Sequence, residues 1–168
     1  IAVDSLPANL ALHPSDTTIC PGETVLLSSA AFNQPAYPGI EFQWFPGQGQ
    51  DSLSELLVKP DETTTYLRKT TNGVCLDSAF ATVHVVTLPQ LTVVPSDTMI
   101  CIGSNVSLSL TNLLGVSDIT WSPADFLSCI TCENPVATPT TTTTYTASGI
   151  YKGCPVSATA QVVIQSPR

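Results

Sequence analysis

Apolar and polar residues alternate along most of the chain. Rows of this kind are formed by Val25, Leu27 and Ser29, by Val106, Leu108 and Leu110, and by Ala81, Val83 and Val85. A period of two is typical of half-buried β-strands. No stretch has a convincing helical stripe, although residues 51–59 come nearest. Turn signals at "TNG" (71–73) and "YKG" (151–153) separate strands at roughly ten-residue spacing, which predicts an all-β antiparallel sandwich.

One phrase occurs twice, as "PSDTTIC" at 14–20 and "PSDTMIC" at 95–101. Later segments match as well, including "FQWFP" with "ITWSP" and "TTTYLRKTTNGVC" with "TTTYTASGIYKGC". An internal repeat of this length indicates a duplicated domain. We predict one β-sandwich over residues 8–88 and a second over residues 89–168.

The first seven residues are similar to the joint between the two copies, since both contain "LP" after a strand-like stretch. Residues 1–7 are therefore expected to be the end strand of a preceding repeat. Alternatively, Ile1–Pro7 is a strand donated to a neighbouring identical subunit. An ordinary frayed tail is the third interpretation.

Four aromatic residues mark the predicted cores. Each copy has one Trp on its third strand, Trp44 and Trp121, and a Tyr at the start of its penultimate strand, Tyr66 and Tyr145. Trp brings a large apolar surface, and Tyr can bond its hydroxyl at a strand corner. We predict a structural role for all four residues.

The net charge and the sequence motifs argue against several classes of function. The net charge is −8, and the five Lys and Arg residues do not cluster, which argues against a nucleic-acid partner. No apolar run approaches the roughly 20 residues of a membrane span. No nucleophile elbow or glycine-rich phosphate loop occurs, so we predict no enzyme, no cofactor and no metal. Acidic residues near the predicted joints leave calcium as an open alternative; they are Asp4, Asp16, Glu23 and Asp97.

The chain resembles the PKD-like and Ig-like repeats of large secreted surface proteins of gliding bacteria. The second copy carries the resemblance through Cys101, Gly103, Val106, Leu108, Trp121, Pro123, Leu127, Cys129, Cys132, Asn134, Pro135, Val136, Pro139, Tyr145 and Cys154. The first copy keeps most of these positions but lacks the C-x-x-C pair. The resemblance implies tandem Ig-like sandwiches, export and a place on the cell surface.

Six cysteines and the repeat suggest a disulfide framework. Cys20 and Cys75 correspond to Cys101 and Cys154, so we predict one bond within each copy, Cys20–Cys75 and Cys101–Cys154. Cys129 and Cys132 would then form a local clip. Redox and zinc roles for that pair are disfavoured, because no helix follows it and the second copy has no further ligands.

Asp followed by Ser or Thr recurs in a form that resembles the O-glycosylation signal of exported proteins in the same bacterial group. The acceptors would be Ser5, Thr17, Ser52, Ser78 and Thr98. Asp and Ser or Thr also suit turns, which is the alternative interpretation.

These features predict a non-catalytic structural module of an extracellular stalk or filament that supports adhesion or cell–cell contact. Its partners would be neighbouring repeats or identical subunits, with a glycan or surface ligand as a further expectation. The alternatives are a carbohydrate- or protein-binding adhesin module and an accessory domain of a secreted enzyme. Exposed aromatic residues would favour the adhesin; the candidates are Tyr37, Phe45, Phe126 and Tyr151.

Overall fold

A computed structural model describes residues 10–29, 40–46 and 54–165 of the chain. The chain divides into two compact units between Val86 and Thr87. The boundary expected from sequence lies two residues later, and Leu88 packs against the core of the second unit. The strand expected over residues 1–7 falls outside the described residues.

Unit 1 is built from six described strands. They are β1 (Asp16–Ile19), β2 (Val25–Leu27), β3 (Glu41–Phe45), β4 (Leu56–Val58), β5 (Thr64–Thr71) and β6 (Leu76–Val85). One sheet has the order β1-β6-β5-β3, and β2 pairs with β4 in the other. Strands β5 and β6 form a hairpin in which Thr71 is opposite Leu76. The predicted turn at residues 71–73 is confirmed.

Unit 2 repeats the arrangement with eight described strands. They are β7 (Thr92–Val94), β8 (Asp97–Cys101), β9 (Val106–Ser107), β10 (Ser109–Thr111), β11 (Val116–Ser122), β12 (Val136–Ala137), β13 (Thr143–Tyr151) and β14 (Cys154–Gln165). The main sheet has the order β11-β13-β14-β8, while β7 pairs with β10 and β9 with β12. The β13–β14 turn has Lys152 and Gly153 at positive φ, as a two-residue hairpin requires.

The duplicated phrase is the point where the chain changes sheets. Before the proline, His13 bridges Ser28 in unit 1, and β7 pairs with β10 in unit 2. Pro14 and Pro95 have no N–H to continue that pairing. The next residues instead pair in parallel with the last strand of the main sheet, β1 with β6 and β8 with β14. The sequence did not predict these parallel pairs within otherwise antiparallel sandwiches.

Each unit closes over its own apolar core, and the four predicted core markers are all buried. Trp44 and Tyr66 belong to the unit 1 cluster with Leu12, Leu27 and Val83. Trp121 and Tyr145 belong to the unit 2 cluster, which is filled around them by Val, Leu and Ala side chains. The described residues contain no helix, and hence none that could cross a membrane. The prediction of an all-β chain with Ig-like β-sandwiches is confirmed.

Candidate functional site: cysteines at the ends of each unit

In unit 1 the two cysteines lie at opposite ends of the main sheet. Cys20 directly follows Ile19, which is paired with Val85 at the end of β6. Cys75 directly precedes Leu76, the first residue of β6. Each cysteine lies one position beyond an end of the ten-residue strand, so at roughly 3.3 Å per residue the two are about 35 Å apart. A disulfide needs Cα atoms within about 7 Å of each other.

Unit 2 has the same geometry. Cys101 is paired with Gln165, the last residue of β14, whereas Cys154 is the first residue of that strand. The separation along the twelve-residue strand is about 35 Å. We call Cys20 and Cys101 the turn-end cysteines, and Cys75 and Cys154 the hairpin-end cysteines.

The predicted bonds Cys20–Cys75 and Cys101–Cys154 are therefore wrong in this structure. Both predictions placed the members of a pair close together, but the parallel strands β1 and β8 carry the turn-end cysteines to the far end of β6 and β14. Cys20 and Cys154 are each disulfide-bonded. Cys101 is exposed and has a free thiol.

The two turn-end cysteines open the same type of turn. The backbone N–H of Glu23 donates to the Cys20 carbonyl at 3.1 Å, and that of Ser104 donates to the Cys101 carbonyl at 3.0 Å. The third residue of each turn is a glycine with positive φ, Gly22 or Gly103. Positive φ is cheap for glycine, so the shared C-x-G spacing fixes the local backbone at both cysteines.

Cys129 and Cys132 form the expected local disulfide, with Cα atoms 5.9 Å apart. The clipped loop contacts the core tryptophan, because the Trp121 indole N–H donates to the Cys132 carbonyl at 2.8 Å. The Trp121 backbone N–H also donates to the Ile130 carbonyl at 2.8 Å. The clip thus holds two loop carbonyls where they accept hydrogen bonds from the indole and backbone N–H groups of the buried Trp121.

Tyr145 joins the start of β13 to the preceding loop. Its hydroxyl donates to the Asp125 carbonyl at 3.2 Å. Burial raises the pKa of this phenol, and the nearby Asp125 carboxylate raises it further, since both disfavour a phenolate. Burial also raises the pKa of Tyr66 in unit 1. In unit 2 the Tyr145 hydroxyl therefore stabilises the corner between the loop at Asp125 and β13.

Arg68 is a residue that sequence reasoning missed. It lies on β5 opposite Trp44 and is fully buried, whereas Ala147 holds the equivalent place opposite Trp121. Its guanidinium donates to the Leu10 carbonyl at 2.6 Å and stacks over the rings of Phe42 and Trp44 at 5.5 and 5.7 Å. Burial lowers its pKa, which Asp77 partly offsets. The signal for it in the sequence is an arginine at a position of β5 that the apolar–polar alternation assigns to the inward face.

Three of the five predicted glycosylation acceptors lie on described strands. Ser78 is exposed on β6. Thr17 and Thr98 are half-buried, and each is paired with a core valine, Val83 or Val162, so these threonines lie on the inward rows. Ser5 and Ser52 lie outside the described residues.

The outer face of the unit 1 main sheet carries an apolar row. Phe45 pairs with Leu67 and Leu67 with Phe80, and the two phenylalanines are 44% and 60% exposed. The Lys69 ammonium lies 5.3 Å from the Phe45 ring centre. In unit 2 the equivalent row is polar, Ser122, Thr146 and Thr159. Among the other candidates, Phe126 is exposed, Tyr151 is half-buried and Tyr37 lies outside the described residues.

Within residues 10–29, 40–46 and 54–165, no group of three or more His, Cys, Asp and Glu residues is placed to hold a metal ion. Of the four acidic residues considered for calcium, Asp16 lies 3.4 Å from His84 Nε2. Glu23 is used locally, since its carboxylate accepts the Cys20 backbone N–H at 2.7 Å.

No protein family and no curated protein matches this chain. Similar solved structures include the N-terminal four Ig domains of Dscam1 isoform 1.9, at 12% identity and a TM-score of 0.39 over 91% of this chain and 44% of that one. The titin Ig tandem domains A164-A165 match at 17% identity and a TM-score of 0.33, over 90% of this chain and 93% of that one. The titin domains z1z2 in complex with telethonin match at 16% sequence identity and a TM-score of 0.34, over 91% of this chain and 94% of that one. This chain thus spans less than half of the Dscam1 structure.

Proposed function

We propose that the chain is a non-catalytic structural module of a bacterial extracellular surface stalk or filament that supports adhesion or cell–cell contact. The observation that carries the proposal is the duplicated sandwich with one cysteine position at each end of each unit. A fold that repeats along the chain and offers covalent attachment at both ends is suited to bearing load. The cysteine positions at these ends recur in both copies.

Hydrogen bonds from buried side chains to backbone carbonyls give further support. Arg68 holds the Leu10 carbonyl, and Tyr145 and Trp121 bond loop carbonyls. Each of these contacts fixes a loop or terminal segment to a sheet, which stabilises the sandwich. The bacterial setting and export follow from the resemblance of the sequence, and neighbouring repeats or identical subunits are the partners it implies.

Strand donation through Ile1–Pro7 remains part of the proposal as one mode of assembly. In the described part of unit 1, β1 covers β6 only from Thr82 to Val85, and Leu76–Ala81 pair on one side, with β5. A second copy's strand could add to this open edge. In unit 2 the matching edge contains Pro155, which has no N–H to offer.

Negative-stain electron microscopy of native, surface-sheared material tests the proposal, with intact mass measured on the same sample. We expect fibres or extended stalks that contain this sequence. An intracellular location, or a purified parent protein that turns over a substrate through these residues, would reject it. Intact mass also tests glycosylation, for which exposed Ser78 is the best-placed described acceptor.

The aromatic row on unit 1 favours a second candidate, a carbohydrate-binding adhesin module. Phe45 and Phe80 offer flat apolar surfaces of the type that sugar rings stack on, and unit 2 lacks them. A pull-down with insoluble polysaccharides would compare the natural chain with the Phe45→Ser, Phe80→Thr variant. The matched control is Leu57→Thr, which removes an exposed apolar side chain from β4. Equal retention of all three chains would remove this candidate.

A further inference from the structure

The first part of strand β6 has an open edge in the part of unit 1 that the structure describes. The Thr82 N–H donates to the Ser15 carbonyl at 2.9 Å, which marks the side of β6 that faces β1. Backbone groups alternate between the two sides of a strand, so those of Leu76, Ser78 and Phe80 face the same side as those of Thr82. Among the described residues, no strand pairs with β6 on that side before Thr82. A row of N–H and C=O groups is therefore open to a further strand.

The exposed side chains along this edge are arranged symmetrically about Ser78. Leu76 lies two residues before it and Phe80 two residues after it, and these apolar side chains are 71% and 60% exposed. An antiparallel copy of the same edge, centred on Ser78, would place Leu76 opposite Phe80 on both sides of the centre. In that register the opposing residues form hydrogen-bonded pairs, so each edge-facing N–H meets a carbonyl. The edge is complementary to itself.

The equivalent edge of unit 2 lacks these features. Counting back from the residue that first pairs with the parallel strand, Pro155 stands at the place of Leu76 and Thr159 at that of Phe80. Proline has no N–H to donate and threonine is polar, so both residues disfavour pairing at this edge. The open and apolar edge is a property of unit 1, and it is not a general feature of the repeated fold.

We propose that unit 1 pairs with unit 1 of a second copy of this chain through residues 76–80 of β6. The contact uses the same surface on both copies, so it closes as a pair with a two-fold axis at Ser78. It joins the two four-stranded main sheets into one continuous sheet. The inference deepens the proposed structural role and rests on it, because such a contact would hold two stalks or filaments side by side.

The inner side of the edge has room for the second strand. A groove of about 380 Å³ lies there, between residues 10–12 and residues 77–80. The partner strand would bring the small Ala79 opposite Asp77. The two Asp77 carboxylates would be diagonal neighbours about 7–8 Å apart. Each interacts favourably with the buried Arg68 of its own copy, which offsets their repulsion.

The paired segment is short, which determines the expected strength of the contact. It buries less than the roughly 1,200 Å² of a stable protein–protein interface. A single pair of chains is therefore expected to associate weakly, at high protein concentration. Many copies aligned on two stalks would bind more tightly, because linked contacts act together.

Sedimentation equilibrium of the full chain tests the inference, at concentrations up to about 1 mM. The chain is unglycosylated, because a glycan on Ser78 would block the centre of the edge, and the exposed thiol of Cys101 is alkylated to prevent covalent dimers. The natural chain, of 17.7 kDa, is expected to approach twice that mass as its concentration rises. A natural chain that stays monomeric over the whole range would overturn the inference.

A variant that copies unit 2 shows whether the β6 edge is the surface involved. Leu76→Pro, Phe80→Thr carries the residues that unit 2 has at the equivalent places, where the same fold accepts them. It should associate roughly tenfold more weakly, through lost hydrogen bonds and apolar contacts. The control Leu57→Thr, which removes an exposed apolar side chain from β4, should associate like the natural chain. Equal association of the double variant and the natural chain would reject the assigned surface.

Mixing two charged variants tests the register. Leu76→Lys and Phe80→Glu each place a charge opposite an apolar side chain when identical chains pair. In an equal mixture, the proposed register brings the opposite charges together on one side of Ser78 and keeps Leu76 opposite Phe80 on the other. The mixture should therefore associate more tightly than either variant alone. Association of the mixture no tighter than that of the separate variants would contradict this register.

Deletion of residues 1–7 separates edge pairing from strand donation. The pair formed by two β6 edges should persist without these residues, whereas a dimer that disappears with them would overturn the inference in favour of a donated strand. Native fibres or stalks together with a monomeric isolated chain would reject the inference and leave the structural role standing. Edge pairing of the isolated chain without native fibres or stalks would reject that role and leave the pairing established.

Discussion

At the scale of single residues, Arg68 distinguishes the two cores. Unit 2 fills the equivalent place with Ala147, which needs no partner, whereas Arg68 brings a charge into the unit 1 core opposite Trp44. That charge is tolerated because the guanidinium donates to the Leu10 carbonyl and lies over two aromatic rings. Arg68 therefore connects the first described residue to the centre of the sandwich.

We predict that Arg68→Ala lowers the free energy of unfolding of unit 1 by about 3 kcal/mol, because it removes the hydrogen bond and leaves a cavity. Arg68→Met refills most of the volume and should cost about half as much. Urea denaturation followed by hydrogen exchange of β5 checks both values. Lys69→Ala, one residue further on the outward face, is the control and should cost less than about 1 kcal/mol.

The raised pKa of the Tyr145 phenol leads to a prediction for the stability of unit 2 at high pH. Its pKa is raised in the folded state, so its contribution to stability is complete below the unfolded-state pKa of 10.0 and is lost as the pH rises through the folded-state pKa. Tyr145→Phe should cost about 1 kcal/mol at pH 8, through the lost bond to Asp125. The gap between variant and natural chain should narrow or reverse by pH 11. An unchanged gap in urea denaturation at both pH values would contradict this explanation.

At the scale of elements, the sequence predicted strands and hairpin turns well but not the pairing of every strand. Alternation identifies which side of a strand is inward, and it located the rows around Leu27, Leu108 and Val83. It does not reveal which neighbour a strand chooses. The parallel β1 and β8 depend on a proline that ends pairing in one sheet, and this effect appears only when both sheets are assembled.

Because β11 lies close to β13 at Gly149, we predict that adding a side chain at this position lowers the free energy of unfolding of unit 2. A Cβ at this position would lie 2.6 Å from Val116 Cγ1 and 3.0 Å from the Ser117 carbonyl oxygen. Gly149→Ala should therefore lower the unfolding free energy of unit 2 by about 2 kcal/mol. In a Trp44→Phe background, Trp121 fluorescence reports this transition. Ser148→Ala, its exposed neighbour, should change stability by less than about 0.5 kcal/mol.

The Cys129–Cys132 clip stabilises unit 2 by restricting a short loop in the unfolded chain. For a loop of this length the chain-entropy relation gives about 2 kcal/mol. Cys129→Ser, Cys132→Ser should lower the unfolding free energy by that amount, again followed by Trp121 fluorescence in urea. If the clip instead served redox chemistry, the double variant would keep its stability and lose a reducible, substrate-accessible disulfide.

At the scale of the whole molecule, the internal repeat predicted the two Ig-like sandwiches but misassigned their disulfides. Comparison of the copies correctly matched Cys20 with Cys101 and Cys75 with Cys154. It could not show that the members of each predicted pair lie at opposite ends of a strand. The distance follows from the parallel register of β1 and β8, which places Cys101 beside Gln165. Export, filament formation and glycosylation stay predictions, because each depends on components outside the chain.

Disulfide mapping of the oxidised protein tests the central claim, that each unit places its two cysteines at opposite ends. Cleavage before aspartate and after lysine or arginine puts Cys20, Cys75, Cys101 and Cys154 on four different peptides. We predict a linked Cys129–Cys132 peptide and no peptide pair that joins Cys20 to Cys75 or Cys101 to Cys154. Recovery of either pair in the native protein would contradict the strand register and, with it, the end-to-end role of these cysteines.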